Sequence, residues 1–398
     1  MQRRDAGIAL LLASLCVLAY APTLTIPLSS DDYPNITQSL VFGPWSGLPA
    51  LFTDAVFRLR STSYWAMYLM WQAFHLTPVA YHVFSLLLHI ANTLLLYQLA
   101  RTPAPDPRSL APVLAGGFFA IHEGHQEAVM WFSAISELLM FLFGMAALLC
   151  WKRSRVLSLL LFALALISKE SAIIFLPLFA LRIGWRRDLL PYALLTAVAI
   201  VSIAVSRATS FRFSDGSFSL HAPFYITWPR SYFRELWIWG WIALIFLWAQ
   251  TRRVQWLPLV WIGIALIPYS FLTYQTAIPS RQTYLASAGL AWLVGEAFVL
   301  LPDSRRLQAT LLVAIVAHNF GILWIRKRAQ FLERARPTQE LIAFARSTPG
   351  PIWVRCFPEA EIIAREAVHL GADQLPSILI WTEAEAAQSK PAATFCYH

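Results

Sequence analysis

Long apolar runs recur along this chain and leave few folds open to it. They fall near residues 7–26, 79–100, 109–121, 131–150, 156–168, 171–184, 189–206, 231–249, 254–273, 284–301 and 307–325. A helix of about 20 apolar residues spans the hydrocarbon of a bilayer, so the pattern predicts about eleven membrane helices. The shortest, near 109–121, 156–168 and 171–184, suit helices that tilt or stop short of the far face. Charged residues make up 13% of the chain, where a soluble domain has about a quarter. The expected class is therefore an all-α polytopic membrane protein.

The net charge of +9 is not a nucleic-acid signature, because the basic residues are scattered in small groups between apolar runs. They set orientation instead. With the N-terminus inside, the cytoplasmic turns carry Arg3 and Arg4, Arg101 and Arg108, Lys152, Arg153 and Arg155, Arg182, Arg186 and Arg187, Arg252 and Arg253, and Arg305 and Arg306. The first apolar segment is too long for a clear signal peptide and lacks a small-residue cleavage site, so it reads as a retained helix.

The opposite face collects the unusual residues. Ser29-Ser30-Asp31-Asp32-Tyr33-Pro34-Asn35 follows the first span. Two carboxylates beside hydrocarbon suggest function, although Asp can also cap a helix and Pro34 suits a helix start. Residues 45–76 mix Trp45, Phe52, Phe57, Tyr64, Trp65, Tyr68, Trp71 and Phe74 with polar residues, as helices lying in the interface would. A second long outer loop, 207–230, holds Arg207, Arg212, Asp215, His221 and Arg230.

Past residue 325 the composition turns polar. Lys327 to Phe344 reads as a helix broken at Pro337. A strand at Ile352–Phe357, a helix from Glu359 to Leu370, a strand at Ser377–Trp381 and a third at Thr394–Tyr397 give a small α/β unit. The expected domains are thus a membrane domain, 1–325, and a small extracytoplasmic α/β domain, 326–398. Four cysteines are too few for a disulfide scaffold. Cys356 and Cys396 both fall in tail strands, where an oxidising compartment allows a bridge. Neighbouring strands would bring them within reach; strands separated by a third would not.

Four motifs occur in order. These are Asp31-Asp32; Pro78, Tyr81, His82 and His89; His122-Glu123-Gly124-His125-Gln126-Glu127-Ala128-Val129 followed by Glu137-Leu138-Leu139; and Ser168-Lys169-Glu170-Ser171-Ala172 before Pro177. The series resembles the GT-C superfamily of membrane glycosyltransferases, and is most similar to the tetratricopeptide-containing transmembrane O-mannosyltransferases and their bacterial relatives. Those proteins carry Asp-Asp in the first outer loop, His-Pro-x-His-x-Glu-Ala-Val, and Lys-Glu-Thr/Ser-Ala before a Pro. Their later Glu-Arg-x-x-Tyr-Leu-Pro-Ser-x-Gly segment is matched loosely by Ser280-Arg281-Gln282-Thr283-Tyr284-Leu285-Ala286-Ser287-Ala288-Gly289. The resemblance covers roughly residues 1–300. Glu123 stands where the family has Pro, Ile135 near its usual Arg, Ser280 for Glu and Ala286 for Pro. No tetratricopeptide repeats follow within these residues.

The resemblance implies an inverting glycosyltransferase, a hexosyltransferase with mannose among the candidate sugars. It would use a polyprenyl-phosphate sugar and an acceptor on a protein hydroxyl or an envelope glycan or lipid. It would sit in the plasma (inner) membrane with its active face outside the cytoplasm. Asp31 or Asp32 would be the general base. Arg58, Arg60, Arg207, Arg212, Arg230, Arg281 and Lys169 are candidates for the phosphate. His82, His122, His125, Glu127 and Glu170 would line the site. His122, His125 and Glu127 could hold a divalent metal, though His-x-x-His is often only a polar patch. Lys169 and Glu170 could simply pair with each other, and His82 and His89, on one helix face, could bond between helices. The other function classes left open are a transporter or flippase of lipid-linked sugars and a non-catalytic envelope scaffold. A transporter should show inverted repeats, and none is evident.

Overall fold

The computed structural model describes residues 2–102, 109–205, 217–273 and 276–397. Arg108, Arg207, Arg212 and Asp215 lie outside the described residues.

Each expected apolar run lies on helix. The main elements are α1 (Gln2–Tyr20), α2 (Asp32–Phe42), α3 (Ser61–Phe74), α4 (Pro78–Arg101), α5 (Ala111–Ile121) and α6 (Ile135–Cys150). They continue with α7 (Arg155–Leu166), α8 (Phe175–Ile183), α9 (Leu190–Val205), α10 (Phe224–Thr251) and α11 (Trp256–Leu266). The last are α12 (Ser287–Val299), α13 (Arg305–Gly321), α14 (Arg328–Ser347) and α15 (Glu361–Ala372). Among the described residues, five helical stretches are long and apolar enough to cross a membrane, and the shorter apolar helices lie among them. The protein is a multi-pass integral membrane protein.

The bundle closes around α12, whose residues from Ser287 to Gly295 are all buried. It packs against α5, α10 and α11. Small residues let these backbones approach. A Cβ on Gly295 would stand 2.6 Å from the Ala111 carbonyl oxygen, and one on Gly289 2.7 Å from that of Pro258. The outward residues of α9, such as Leu194, Val198 and Val201, remain exposed as a lipid-facing surface would be.

The polar turns meet at one end of the bundle, where Asp32 reaches Ser133, Thr62 reaches Ser168 and Glu127 reaches Arg281. Basic turns meet at the other, where Arg101 pairs with Asp5 and Arg155 with Asp188.

Three local expectations change. The helix through Pro337 is not broken: α14 runs on to Ser347, and α13 joins it through a π-helical segment, Ile322–Lys327. Proline removes one backbone hydrogen bond, but the face carrying Phe331, Ala335, Pro337, Leu341 and Ile342 is buried along its whole length and holds the helix together. The outer stretch 45–76 does not simply lie in the interface. Trp45 is 89% exposed, whereas α3 buries Ser61–Tyr64, Met67 and Met70 against the bundle. The loop expected to end at residue 230 is already helix from Phe224, and α10 kinks at Trp237.

In the tail, β1 (Ile352–Cys356) is the central strand of a parallel sheet of order β2-β1-β3, with β2 at Leu379–Ile380 and β3 at Ala393–Cys396. Cys356 and Cys396 are register partners on adjacent strands, joined as a disulfide with Cα atoms 4.4 Å apart. The tail rests on the membrane part through α15 against α2.

The close contacts of Gly295 give a test. Gly295→Val forces α12 from α5, and overpacking of this kind typically costs about 1–3 kcal/mol. Thermal unfolding in detergent should show a lowered midpoint.

Candidate active site

The site begins where the chain leaves α1. Tyr20 Oη donates to the His122 carbonyl at 2.7 Å, fixing the exit against the second polar turn. Ser30 holds a left-handed backbone (φ 50°), and α2 starts two residues later. The two adjacent carboxylates then take different roles. Asp32 is 2% exposed. Its Oδ2 accepts from the Ser29 amide at 2.9 Å, and its Oδ1 from the Ser133 amide at 2.8 Å and hydroxyl at 2.6 Å. Asp31 is exposed, and its side chain makes no capping bond. The capping reading therefore does not describe either residue: Asp32 reaches back and across, and Asp31 faces outward.

Burial pushes the Asp32 carboxyl up to about 6, against the pull of its hydrogen-bond donors. The folded protein thus binds this proton more tightly than the unfolded chain does.

Beside Ser133, Trp131 packs near Arg281, whose guanidinium carbon is 5.0 Å from the indole centroid. Glu127 Oε2 accepts from the Arg281 amide at 3.1 Å and pairs with its guanidinium at 3.5 Å. The Glu127 carboxylate is thus turned to the turn Ser280–Thr283, not to the histidines. His122 and His125 stack edge to face, 5.1 Å between ring centroids, and burial lowers the pKa of both. His125 Nε2 lies 2.5 Å from Ser287 Oγ. Among the described residues no group of three or more His, Cys, Asp or Glu converges as a metal site. His122, His125 and Glu127 therefore do not form a ligand set here.

A second polar group lies behind α3. Lys169 and Glu170 do not pair with each other, since adjacent residues in this turn point apart. Lys169 Nζ makes a buried ion pair with Glu137, whose other oxygen accepts from Tyr269 Oη at 2.9 Å. Glu170 takes Arg60 at 3.1 and 3.3 Å. The Arg60 charge is thus already balanced. Arg58 donates to the Ser202 carbonyl at 2.6 Å. Tyr64 Oη reaches Asn35 at 3.3 Å and ties this group to α2.

His82 and His89 serve helix contacts. His82 Nε2 meets the Ile26 carbonyl at 2.9 Å, and His89 meets Tyr284 Oη at 2.8 Å and the Ala120 carbonyl at 3.1 Å. Arg230 lies on α10, and Arg212 is outside the described residues.

Sequence reading did not single out Glu235. It is 7% exposed in α10, and its Oε1 has no hydrogen-bond partner among the described residues. A carboxylate within an apolar run was the available signal. It also passed over Arg334, in the tail, because a polar helix offers many arginines and no spacing marks one.

No family model matches the chain. It is 30% identical over 157 residues to Protein O-mannosyl-transferase Tmtc1 of Drosophila melanogaster, covering 37% of this chain and 16% of that protein. It is 25% identical over 185 residues to Protein O-mannosyl-transferase F38B6.6 of Caenorhabditis elegans, covering 42% of this chain and 27% of that protein. The matched region thus spans only 16% and 27% of these relatives' own lengths. Among solved structures, the crystal structure of ArnT from Cupriavidus metallidurans bound to undecaprenyl phosphate superposes with a TM-score of 0.57 at 13% identity, over 98% of this chain and 89% of that one. The apo ArnT structure gives the same score over 96% and 87%.

The anchoring of Asp32 predicts a split between the two carboxylates. Asp32→Asn keeps one acceptor oxygen and sets its NH2 against either the Ser29 amide or the Ser133 donors, and a buried mismatch of this kind costs about 1–3 kcal/mol. A carboxyl with a raised folded-state pKa stabilises most below its unfolded value of about 4, and that contribution declines as pH rises through about 6. Thermal unfolding across this range should show the decline in the wild-type protein and a flatter profile in Asp32→Asn.

The chain thus shares its fold with ArnT over nearly its whole length, and its sequence is similar to the two O-mannosyl-transferases over less than half of it.

Proposed function

We propose that the protein is an inverting glycosyltransferase that moves a sugar from a polyprenyl-phosphate donor to an acceptor hydroxyl on the extracytoplasmic face. One observation carries the reading: an exposed Asp31, whose side chain makes no hydrogen bond among the described residues, stands beside an Asp32 fixed by three donors. This is the pairing a general base needs, because a rigid neighbour sets its position while its own oxygens stay open to a substrate. Asp31 takes the proton of the acceptor hydroxyl as that oxygen bonds to the anomeric carbon. The bond from that carbon to the phosphate oxygen breaks, and the electron pair leaves with the phosphate. Attack opposite the leaving group inverts the centre. The undecaprenyl phosphate bound to ArnT supports a donor of this lipid class. Mannose is the sugar that the relatives' names suggest. Residues 1–325 form the membrane domain in this reading, and 326–398 an outer domain beside the active face.

Asp31→Asn should lower turnover by about 100- to 10,000-fold. It should leave the unfolding midpoint unchanged. Radiolabelled polyprenyl-phosphate sugars incubated with purified protein and envelope extract provide the assay. Wild-type transfer by this variant would remove Asp31 from the role of base.

The face is tested separately. With the two free cysteines, Cys16 and Cys150, replaced, an impermeant thiol reagent on spheroplasts should label Trp45→Cys and Leu375→Cys. It should not label Lys152→Cys or Trp185→Cys. The reverse pattern would place the site in the cytoplasm.

A further inference from the structure

Trp131 is approached by two arginines from distant parts of the chain. The guanidinium carbon of Arg281 is 5.0 Å from its indole centroid and that of Arg334, on α14, is 4.0 Å away. The two cations are therefore no further apart than these distances combined. Both side chains are half-buried, and partial removal from water strengthens their mutual repulsion. Arg281 is balanced in part by Glu127 at 3.5 Å. Arg334 has no ion pair among the described residues. Its Nε donates to Ser30 Oγ at 2.9 Å, and its terminal amino groups have no hydrogen-bond partner there. Ser30 is the residue with the left-handed backbone next to Asp31.

The helix that carries Arg334 is fastened to the first outer loop. Gln339 Nε2 donates to Tyr33 Oη at 2.8 Å and to the Leu28 carbonyl at 3.2 Å. Glu359 accepts from Ser30 and, at 3.2 Å, from Thr338. The guanidinium is thus held beside the Asp31–Asp32 pair with its outer donors open. Two guanidiniums packed on one indole ring suit an anion that accepts from both forks.

Resting on the donor reading above, we infer that Arg334 is a substrate-binding residue, which with Arg281 and the Trp131 ring seats the phosphate of the polyprenyl-phosphate carrier. The C-terminal segment then completes the active site. The chemistry sharpens the role. The donor phosphate is a diester with one charge. When the bond to the sugar breaks, the bridging oxygen keeps the electron pair, and the phosphate becomes a monoester with up to two charges. A second guanidinium therefore interacts most strongly with the departing group.

The test is binding of undecaprenyl phosphate to the purified full-length protein in detergent, with undecaprenol as the headless control. Arg334→Gln should weaken undecaprenyl phosphate binding by about 10-fold or more, as loss of a charge-assisted contact does. Undecaprenol binding should not change. Arg334→Lys should recover part of the loss, and it keeps the question answerable if the glutamine variant folds poorly. Ser30→Ala removes the Arg334–Ser30 bond but leaves the guanidinium, and should bind nearly as the wild type does. Arg336→Gln, an exposed arginine of the same helix, is the control. Wild-type affinity in Arg334→Gln would overturn the proposal alone. A loss in Ser30→Ala equal to that in Arg334→Gln would also overturn it, by making Arg334 a positioning residue. Failure of the wild-type protein to bind undecaprenyl phosphate would overturn it together with the donor reading.

Discussion

The Asp32 carboxylate is the contact on which the geometry of the polar end of the bundle depends. It is nearly free of solvent, and its two oxygens accept from one donor in its own loop and two on the turn before α6. A carboxylate this deep is tolerated only when its acceptors are filled. Those bonds therefore dictate where the first outer loop lies on the bundle. With the loop fixed, Asp31 must point outward, Ser30 must take a left-handed backbone, and the tail helix finds Ser30 and Tyr33 to bond. The outward turn of Asp31, the course of the loop and the seat of the tail helix are consequences of one buried polar contact.

The same rule organises the rest of the polar interior. Lys169, Glu137, Tyr269 and Ser171 form a chain behind α3, with Ser171 and Tyr269 hydroxyls 2.6 Å apart. His89, Asn92 and Tyr284 form another between α4 and the start of α12. In an apolar bundle, groups of this kind are stable only in company, because a lone charge or donor has no water to fall back on. They also fix helix register more sharply than apolar packing does. Several buried atoms, including Glu235 Oε1 and the Nδ1 atoms of His122 and His125, have no partner among the described residues. They mark the places where the interior is least self-sufficient.

Much of this was legible in the sequence. Apolar runs announced the helices because a bilayer accepts no other uninterrupted backbone at that length. Basic turns sorted the two ends, and the ordered motifs gathered Asp31, Asp32, His125, Glu127 and Lys169 at one of them. The small strands of the tail were readable from β-branched and aromatic runs between turn residues. Pro337 misled, because its local penalty is outweighed by a buried face that only the folded chain supplies.

Composition and hydrophobic period, read along the chain alone, settle that it crosses a membrane many times and that its unusual polar motifs collect at one end. Those properties follow from composition and period, which are local. Tertiary structure alone decided which of the two carboxylates is anchored and which is open, since that depends on Ser133, a hundred residues away. It decided that Lys169 and Glu170 take separate partners, Glu137 and Arg60, and that Arg334 from the tail stands against Trp131. Each of these is a contact between distant segments, and hydrogen-bond and charge partners are set by where the backbone brings side chains together, which no spacing along the chain records.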